Sequence, residues 1–291
     1  MRTAIIGAGK MGVWFAKFCR EKGDHVIVAD RKKERLVELP TELAAEATTN
    51  FAKAIQSADN ILICVSISAF EEVIKKISSS IREDQVVMDI CSIKDFPVKV
   101  MHKHIKAGLV LGTHPVFGPG STGIKHKTFI LTPTNAKERE FAENYKRWLE
   151  KEQAHVFIMS PKKHDELMSV VLGLPHFLGL VACDTLLEQA DFGQTKKVAG
   201  TTYRMLLTLA EATALETPDL YASLQTTLPE LGKIEDLFIA KAQEWLDLIK
   251  KRDSKAIIAR MDRLKTSLTN ADRDFAKSYE IMYKMLEASE S

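Results

Sequence analysis

The sequence predicts an α/β protein in which a parallel-sheet domain over residues 1–158 is followed by an all-α domain over residues 159–291. Three observations support this prediction. Short runs rich in β-branched residues alternate with helical patterns as far as residue 158, as in a sheet wound by helices. A glycine-rich turn follows the first of these runs. After Ser160 the strand-like runs stop, and helical periodicity takes over.

The predicted strands are nearly continuous apolar runs, as expected for a sheet covered by helices on both faces. They are residues 3–7, 25–30, 60–66, 85–91, 109–113, 128–132 and 155–159. Helical patterns lie between them, for example in 10–23 and 135–152. In the second half, Ser160 is a predicted helix cap with Pro161 in the first turn, and residues 254–288 form one predicted amphipathic helix.

The composition is that of a soluble globular protein, with 45% hydrophobic and 27% charged residues. A net charge of +2 gives no reason to expect nucleic acid as a partner. The four cysteines form no CxxC pair and no metal-binding spacing, so we expect a reduced, cytoplasmic protein without a metal site. The first residues lack the apolar segment of a signal peptide.

Residues 167–183 carry almost no charge, and their length borders on that of a membrane-spanning helix. Gly173, Pro175, His176 and Gly179 interrupt this run. A helix that is apolar on all sides also occurs in the core of a domain or of a dimer. We therefore expect no membrane span, and we expect the helical domain to be a dimerisation domain that covers this surface in a homodimer.

The segment AIIGAGKMG places Gly7, Gly9 and Gly12 in a GxGxxG pattern between a predicted strand and a predicted helix. The first glycine permits the tight turn, the second lets the backbone approach a pyrophosphate, and the third lets helix and strand pack closely. The next strand ends at Asp30, at the spacing expected for an acid that binds a ribose. These features predict a Rossmann-type domain that binds a dinucleotide. The alternative is a tight turn that binds nothing.

Asp30 favours NAD, because its carboxylate accepts hydrogen bonds from a ribose 2′-hydroxyl and repels a 2′-phosphate. Arg31 follows directly and offers a partner for such a phosphate, so NADP stays possible. The predicted cofactor-binding residues are Gly7, Gly9, Lys10, Met11, Gly12, Asp30, Arg31, Val65 and Ser66.

Ligands of an open parallel sheet bind beyond the carboxyl ends of its strands. Residues 64–66 lie at one such end, Ser92 and Lys94 at the next, and His114 at a third, in the segment GTHPVFGPG. We expect His114 to accept a proton from a substrate hydroxyl while hydride leaves the same carbon, with Ser92 holding that hydroxyl and orienting the imidazole. The alternatives are a structural His114 and a Ser92 that caps the helix near residues 95–97.

Three polar side chains in the helical half are further candidates. His164 lies near a helix start, where we expect an exposed or capping role. His176 lies in an apolar stretch and is either a core histidine or a cleft residue. Arg204 has apolar neighbours and needs an anion, either an acid of this chain or a substrate carboxylate.

The chain resembles the prephenate dehydrogenases of tyrosine biosynthesis in several segments, in chain order GAGKMG, CSIK, GTHPVFGPG, KKHDELMSVVLGLPHF and TYRMLLTLAEATALETPDLYASLQ. The resemblance implies a Rossmann domain with a dimerisation domain, and oxidative decarboxylation of prephenate to 4-hydroxyphenylpyruvate with reduction of NAD or NADP. It also implies that His114 is the catalytic histidine with Ser92 as its partner. By the same resemblance Arg204 binds a substrate carboxylate and His176 lines the pocket.

Other functions stay open beside this resemblance. An arogenate dehydrogenase performs the same chemistry on an amino acid instead of a keto acid. β-Hydroxyacid dehydrogenases and imine or pyrroline-carboxylate reductases share the architecture and the GAGKMG turn, although not the HPVFGPG loop. A dinucleotide sensor without catalysis would need Gly7, Gly9 and Asp30, but neither Ser92 nor His114.

Overall fold

The computed structural model describes residues 1–189 and 191–288. The strands in these residues are β1 (Arg2–Ile6), β2 (His25–Ala29), β3 (Glu46–Thr48), β4 (Asn60–Ile63), β5 (Val86–Asp89), β6 (Leu109–Pro115), β7 (Thr128–Thr132) and β8 (His155–Ile158). Together they form one eight-stranded sheet in the order β3-β2-β1-β4-β5-β6-β7-β8. The direction of winding reverses between β1 and β4. Open α/β sheets bind their ligands outside the carboxyl ends of the strands at such a point.

Helices cover both faces of this sheet. They are α1 (Lys10–Glu21), α2 (Lys33–Val37), α3 (Phe51–Gln56), α4 (Ile67–Ile77), α5 (Asp95–His104), α6 (Ala136–Lys151) and α7 (Pro161–Met168), with 3₁₀ turns at Thr41–Leu43 and Ser78–Ser80. Alternate strand residues point to opposite faces. Ala4 accordingly belongs to the buried cluster beneath α3, α4 and α5, and Ile5 to the cluster beneath α1 and α6. The predicted cap of α7 is confirmed, since Ser160 Oγ accepts a hydrogen bond from the Lys163 N–H at 3.2 Å.

The sheet is parallel except at one pair of strands. β6 and β7 pair antiparallel, with His114 opposite Ile130, so the predicted parallel sheet contains one antiparallel pair. Their connection, residues 116–127, contains no helix, and a parallel pair usually requires a helical crossover. The sequence analysis also missed β3. This strand is a three-residue edge strand with Glu46 and Ala47 exposed, so it has no apolar run to reveal it.

The chain divides into two compact units. The first comprises Met1–Met168 and Pro218–Leu228, and the second comprises Ser169–Thr217 and Pro229–Ser291. Compared with the sequence boundary at residue 158, α7 and α11 (Pro218–Thr227) also group with the sheet. Packing explains the grouping of α11, because this helix lies against α4 and its Leu224 is buried.

The second unit is helical in its described residues. A π-helical turn (Ser169–Gly173) leads into α8 (Leu174–Leu187), followed by α9 (Phe192–Lys197), α10 (Thr201–Leu215), α12 (Leu231–Lys250), α13 (Ser254–Ala271) and α14 (Ser278–Glu287). α8 packs closely on α10 at Gly179, where a Cβ would lie 2.3 Å from Thr213 Oγ1. The absence of a side chain at Gly179 therefore sets the distance between these two helices.

The predicted single helix over residues 254–288 is wrong. α13 ends at Ala271, and a 3₁₀ turn (Phe275–Lys277) precedes α14. The backbone of Asp272 is extended, and its Oδ1 accepts a hydrogen bond from the Asp274 N–H at 2.9 Å. Aspartate side chains compete for backbone N–H groups in this way and favour turns over helix. The apolar periodicity continues across the turn and so did not reveal it.

The helical segment Pro161–Leu187 is long and apolar enough to cross a membrane, judged by length and composition alone. The core helix of a soluble protein passes the same test, but only 17% of the apolar window is buried here. Val170, Val171, Val181 and Leu187 are all exposed. The segment therefore presents apolar surface that is not covered within this chain's described residues.

We expect Gly179→Ala to lower the melting temperature, because the added methyl group would overlap the β-branched side chain of Thr213. Overpacking of this kind costs about 1–3 kcal/mol. Gly193→Ala in α9 is the matched control, since its Cβ would meet no heavy atom within 4 Å and alanine is the better helix former. Thermal unfolding compares the two variants. Equal melting temperatures would contradict a close contact between α8 and α10.

Candidate active site

The turn between β1 and α1 has the geometry of a phosphate-binding glycine turn. Gly7 has φ +112°, and a Cβ there would lie 2.3 Å from the carbonyl oxygen of Cys64. A Cβ on Gly12 would lie 1.9 Å from the carbonyl oxygen of Gly7, so both positions require glycine. Gly9 is the N-cap of α1, and a Cβ there would meet no heavy atom within 4 Å. This open space beside the N–H groups of the first helical turn fits a pyrophosphate.

Asp30 ties this glycine turn to the end of β2. The side chain is buried, and its Oδ2 accepts a hydrogen bond from the Ala8 N–H at 2.8 Å. Arg35, which the sequence analysis did not identify, places Nη1 3.5 Å from the same oxygen. Arg31 is exposed and instead lies 3.9 Å from Glu72 Oε2. The Asp30 carboxylate therefore has a fixed orientation at the position where a dinucleotide-binding domain contacts the ribose.

The other predicted cofactor residues lie at the same edge of the sheet. Lys10 and Met11 are the first two residues of α1, and Val65 and Ser66 connect β4 to α4. Ser66 is the N-cap residue of α4, and its hydroxyl lies 2.9 Å from that of Ser68. Because β1 and β4 are parallel neighbours, both groups lie at the carboxyl ends of these strands.

His114 is held near the carboxyl end of β6 by a second histidine. It is 3% exposed, and its Nδ1 lies 2.8 Å from Nε2 of the fully buried His164. Nδ1 of His164 in turn lies 2.7 Å from Oδ1 of Asp165. Burial lowers the pKa of His114 well below its ordinary value, and the charges of His164 and Lys94 lower it further. His114 is therefore unprotonated at neutral pH and able to accept a proton.

The expectation of an exposed or capping His164 is wrong. His164, Asp165 and Met168 form the buried side of α7, so the histidine points into the first unit. Burial lowers the pKa of His164, and the hydrogen bond to Asp165 opposes that shift. The sequence signal that could have revealed this role is the spacing of these three residues, which places them on one face of a helix.

The Asp165 carboxylate also caps α5 from outside that helix. Its Oδ1 accepts a hydrogen bond from the Lys94 N–H at 2.7 Å, and its Oδ2 accepts one from the Asp95 N–H at 2.9 Å. The alternative role of Ser92 as the cap is therefore wrong. Ser92 is half-buried in the loop between β5 and α5, and its role toward a substrate hydroxyl stays a prediction.

A buried ion pair of Lys94 with Asp89 connects β5, α5 and β6. Both side chains are fully buried. Lys94 Nζ also donates a hydrogen bond to the Thr113 carbonyl oxygen at 2.6 Å, and the Asp89 carboxylate accepts one from the Cys91 N–H at 2.8 Å. Asp89 and the Thr113 carbonyl thus hold the lysine charge close to His114. This charge opposes protonation of the His114 imidazole. In residues 1–189 and 191–288, no group of three or more His, Cys, Asp or Glu side chains is arranged to hold a metal ion.

His176 and Arg204 lie in the helical unit, on α8 and α10. His176 is half-buried, and burial lowers its pKa below the ordinary value for histidine. Arg204 is exposed. The roles of both residues in binding a substrate stay predictions.

One protein family matches the chain in two consecutive segments. Residues 15–158 match the family description "Prephenate dehydrogenase, nucleotide-binding domain". Residues 160–275 match "Prephenate dehydrogenase, dimerization domain". The two segments agree with the change from an α/β to a helical pattern near residue 158.

Individual relatives carry related names. A "Probable arogenate/prephenate dehydrogenase" of Methanocaldococcus jannaschii is 34% identical over 259 residues, which are 88% of this chain and 58% of that protein. The structure of prephenate dehydrogenase from A. aeolicus with hydroxyphenyl propionate and NAD+ has a TM-score of 0.77 at 24% identity, covering 94% of this chain and 98% of the other. Synechocystis arogenate dehydrogenase has a TM-score of 0.71 at 18% identity, covering 94% and 99%. Both structures share the fold described above.

We expect Lys94→Met to destabilise the protein by about 3–5 kcal/mol, because it leaves the Asp89 carboxylate buried without its partner. Lys99→Met is the matched control, since the ion pair of Lys99 with Asp95 is exposed and contributes little. Denaturant unfolding at neutral pH measures both variants. An equally small loss of stability in the two would show that the buried pair does not stabilise this part of the sheet.

Proposed function

The chain belongs to the prephenate dehydrogenase family, and we propose that it catalyses the NAD-dependent oxidative decarboxylation of prephenate to 4-hydroxyphenylpyruvate. The observation that carries this proposal is the buried His114 at the carboxyl end of β6, where burial lowers the pKa of the imidazole. β1, β4, β5 and β6 are parallel, so this histidine shares a sheet edge with the glycine turn. Oxidation of a substrate hydroxyl requires a base beside a hydride acceptor, and this edge is where such an acceptor binds.

The glycine turn and Asp30 support a nicotinamide dinucleotide as the cofactor. Bound there, a nicotinamide dinucleotide supplies the hydride acceptor. NAD is favoured over NADP, because the Asp30 carboxylate is held in place by Ala8 and would repel a 2′-phosphate. Arg31, the residue that would attract this phosphate, lies near the Glu72 carboxylate. The A. aeolicus relative also binds NAD+.

The roles of the side chains follow from the chemistry of the substrate. His114 accepts the proton of the ring hydroxyl as hydride leaves the same carbon. Ser92 orients the hydroxyl. The ketone that forms is conjugated through the ring, so the electrons of the breaking carbon–carboxylate bond enter the ring as CO₂ leaves. Arg204 binds a substrate carboxylate through charge-assisted hydrogen bonds, and His176 lines the pocket.

Arogenate is the second candidate substrate. The M. jannaschii relative carries both substrates in its name, and the Synechocystis structure is an arogenate dehydrogenase. The two substrates differ in the side chain, an amino acid in place of a keto acid, and not at the reacting ring. His114 serves both equally, so a residue that contacts the side chain decides between them. Family membership sets aside the imine reductase and β-hydroxyacid dehydrogenase alternatives.

We also propose that the protein is a soluble, cytoplasmic enzyme, and that its helical unit forms a homodimer. Residues 160–275 match a dimerization domain, and the unit exposes many apolar side chains. Examples are Leu237, Ile239, Ile249, Ile258 and Met261. A second copy of the chain would cover these side chains and the exposed apolar surface of α8.

We expect the purified protein to reduce NAD in the presence of prephenate, with a lower kcat/KM for NADP. Absorbance of the reduced nicotinamide measures both. The same assay with arogenate separates the two candidate substrates. A higher kcat/KM with arogenate would reassign the substrate, and no reduction with either compound would contradict the proposal.

We expect His114→Gln to lower kcat by about 10²–10⁴, the contribution typical of a positioned base. His155→Gln is the matched control, because His155 is exposed at the start of β8. In the unsubstituted protein, the acid limb of kcat/KM lies below the ordinary pKa of histidine, because burial keeps His114 unprotonated. Near-normal turnover of a folded His114→Gln protein would remove this residue from the mechanism.

A further inference from the structure

We propose that His164 and Asp165 are positioning residues, which direct the basic lone pair of His114 to Nε2 and receive at His164 the positive charge that proton uptake creates. The inference rests on the proposed role of His114 as the base. It adds that His114, His164 and Asp165 act together through the hydrogen bonds that connect them. All three side chains are buried, with exposed fractions of 3%, 0% and 5%, so water does not compete for the bonds between them.

The orientation of the Asp165 carboxylate is fixed from outside α7. Oδ1 accepts a hydrogen bond from the Lys94 N–H, and Oδ2 accepts one from the Asp95 N–H. Backbone N–H groups donate only, so both oxygens act as acceptors, which is the behaviour of an ionised carboxylate. Oδ1 also lies 2.7 Å from Nδ1 of His164. Nδ1 of His164 must therefore carry the proton of that hydrogen bond.

The proton on His164 Nδ1 determines the tautomer of His114. A neutral imidazole has one N–H group, so Nε2 of His164 is left with a lone pair. This nitrogen lies 2.8 Å from Nδ1 of His114, and Nδ1 must be the donor in that hydrogen bond. His114 consequently has its proton on Nδ1 and its lone pair on Nε2. Nε2 is therefore the atom that accepts the substrate proton.

The same geometry allows a second proton to move. When the substrate O–H bond breaks, its proton binds to Nε2 of His114. The Nδ1–H bond of His114 then breaks, and this proton binds to Nε2 of His164 across the 2.8 Å hydrogen bond. The products of these two transfers are a neutral His114 and an imidazolium at His164. One proton enters the chain of residues, and no other bond changes.

The surrounding charges favour the imidazolium at His164 over one at His114. Lys94 opposes a positive charge on either ring. Asp165 and Asp89 both favour a positive charge on His164, and Asp165 contacts that ring directly. Placing the charge on His164 therefore stabilises the state that follows proton uptake.

The first test is the tautomer in the full-length protein without added ligand. Imidazole ¹⁵N chemical shifts distinguish a protonated from an unprotonated ring nitrogen, and spectra of His114→Gln and His164→Gln assign the signals. We expect a protonated Nδ1 and an unprotonated Nε2 on His114 at neutral pH. A proton on Nε2 of His114 would overturn the proposal. The tautomer is read in the unsubstituted protein, and the two variants serve only to assign its signals.

The second test separates positioning from support of the fold. Asp165→Asn replaces an oxygen acceptor with an N–H₂ donor, and we expect it to raise the Nε2–H tautomer of His114 and to lower kcat about 10²–10⁴-fold with little change in KM. Glu166→Gln makes the same chemical change at the next position of α7, where the carboxylate pairs with Lys163, and we expect wild-type kinetics. If Asp165→Asn lowers the melting temperature but leaves the tautomer and kcat unchanged, Asp165 is only a helix cap.

The outcomes of the two proposals are distinguishable. If neither prephenate nor arogenate is oxidised, the proposed function fails whatever the tautomer of His114. If one of them is oxidised while His114 carries its proton on Nε2, the proposed function stands and the chain of residues does not act as described.

Discussion

The Asp165 carboxylate connects the parts of the candidate site, because it joins α7, α5 and the histidines. Its two oxygens accept hydrogen bonds from the first N–H groups of α5, and one of them also contacts His164. The free N–H groups at a helix start attract an anion, so the carboxylate is favourably placed there. Together with the buried His164 and Met168, these hydrogen bonds position α7 so that the His164 ring meets His114.

Buried charge is the second constraint on this region. Lys94 and Asp89 are fully buried and paired, and Lys94 also donates to the Thr113 carbonyl oxygen. A hydrophobic pair at these positions would avoid the desolvation penalty of two ions. The ion pair has an effect that a hydrophobic pair would lack, since the lysine charge adds to the effect of burial and of His164 in lowering the pKa of His114. The charge of Lys94 thus acts in the same direction as burial and favours the neutral form of His114, which can accept a proton.

The glycine turn was predictable from sequence because most of its requirements are local, although the carbonyl oxygen of the distant Cys64 also excludes a Cβ at Gly7. Gly7 and Gly12 are near neighbours in the chain, and the atoms that exclude a Cβ at Gly12 belong to Gly7. His164 was not predictable in the same way, because its partner lies 50 positions away and only the folded sheet brings the two rings together. The turn at Asp272 and the antiparallel β7 were harder to predict than the glycine turn and easier than the role of His164. Their local signals, an aspartate pair and a connection without a helical pattern, were present but weaker than the apolar periodicity.

The base and the candidate substrate contacts lie in different compact units, and this division bears on substrate choice. His114, its partners and the glycine turn all belong to the first compact unit, so the geometry of the base is set without the helical unit. Arg204 and His176, the candidates for contacts to the substrate, belong to the second. In the proposed mechanism, changes at Arg204 or His176 alter which side chain is recognised while the base and the cofactor turn stay the same. A family built in this way can include both prephenate and arogenate dehydrogenases, because oxidation of the ring needs only the residues that the two enzymes would share.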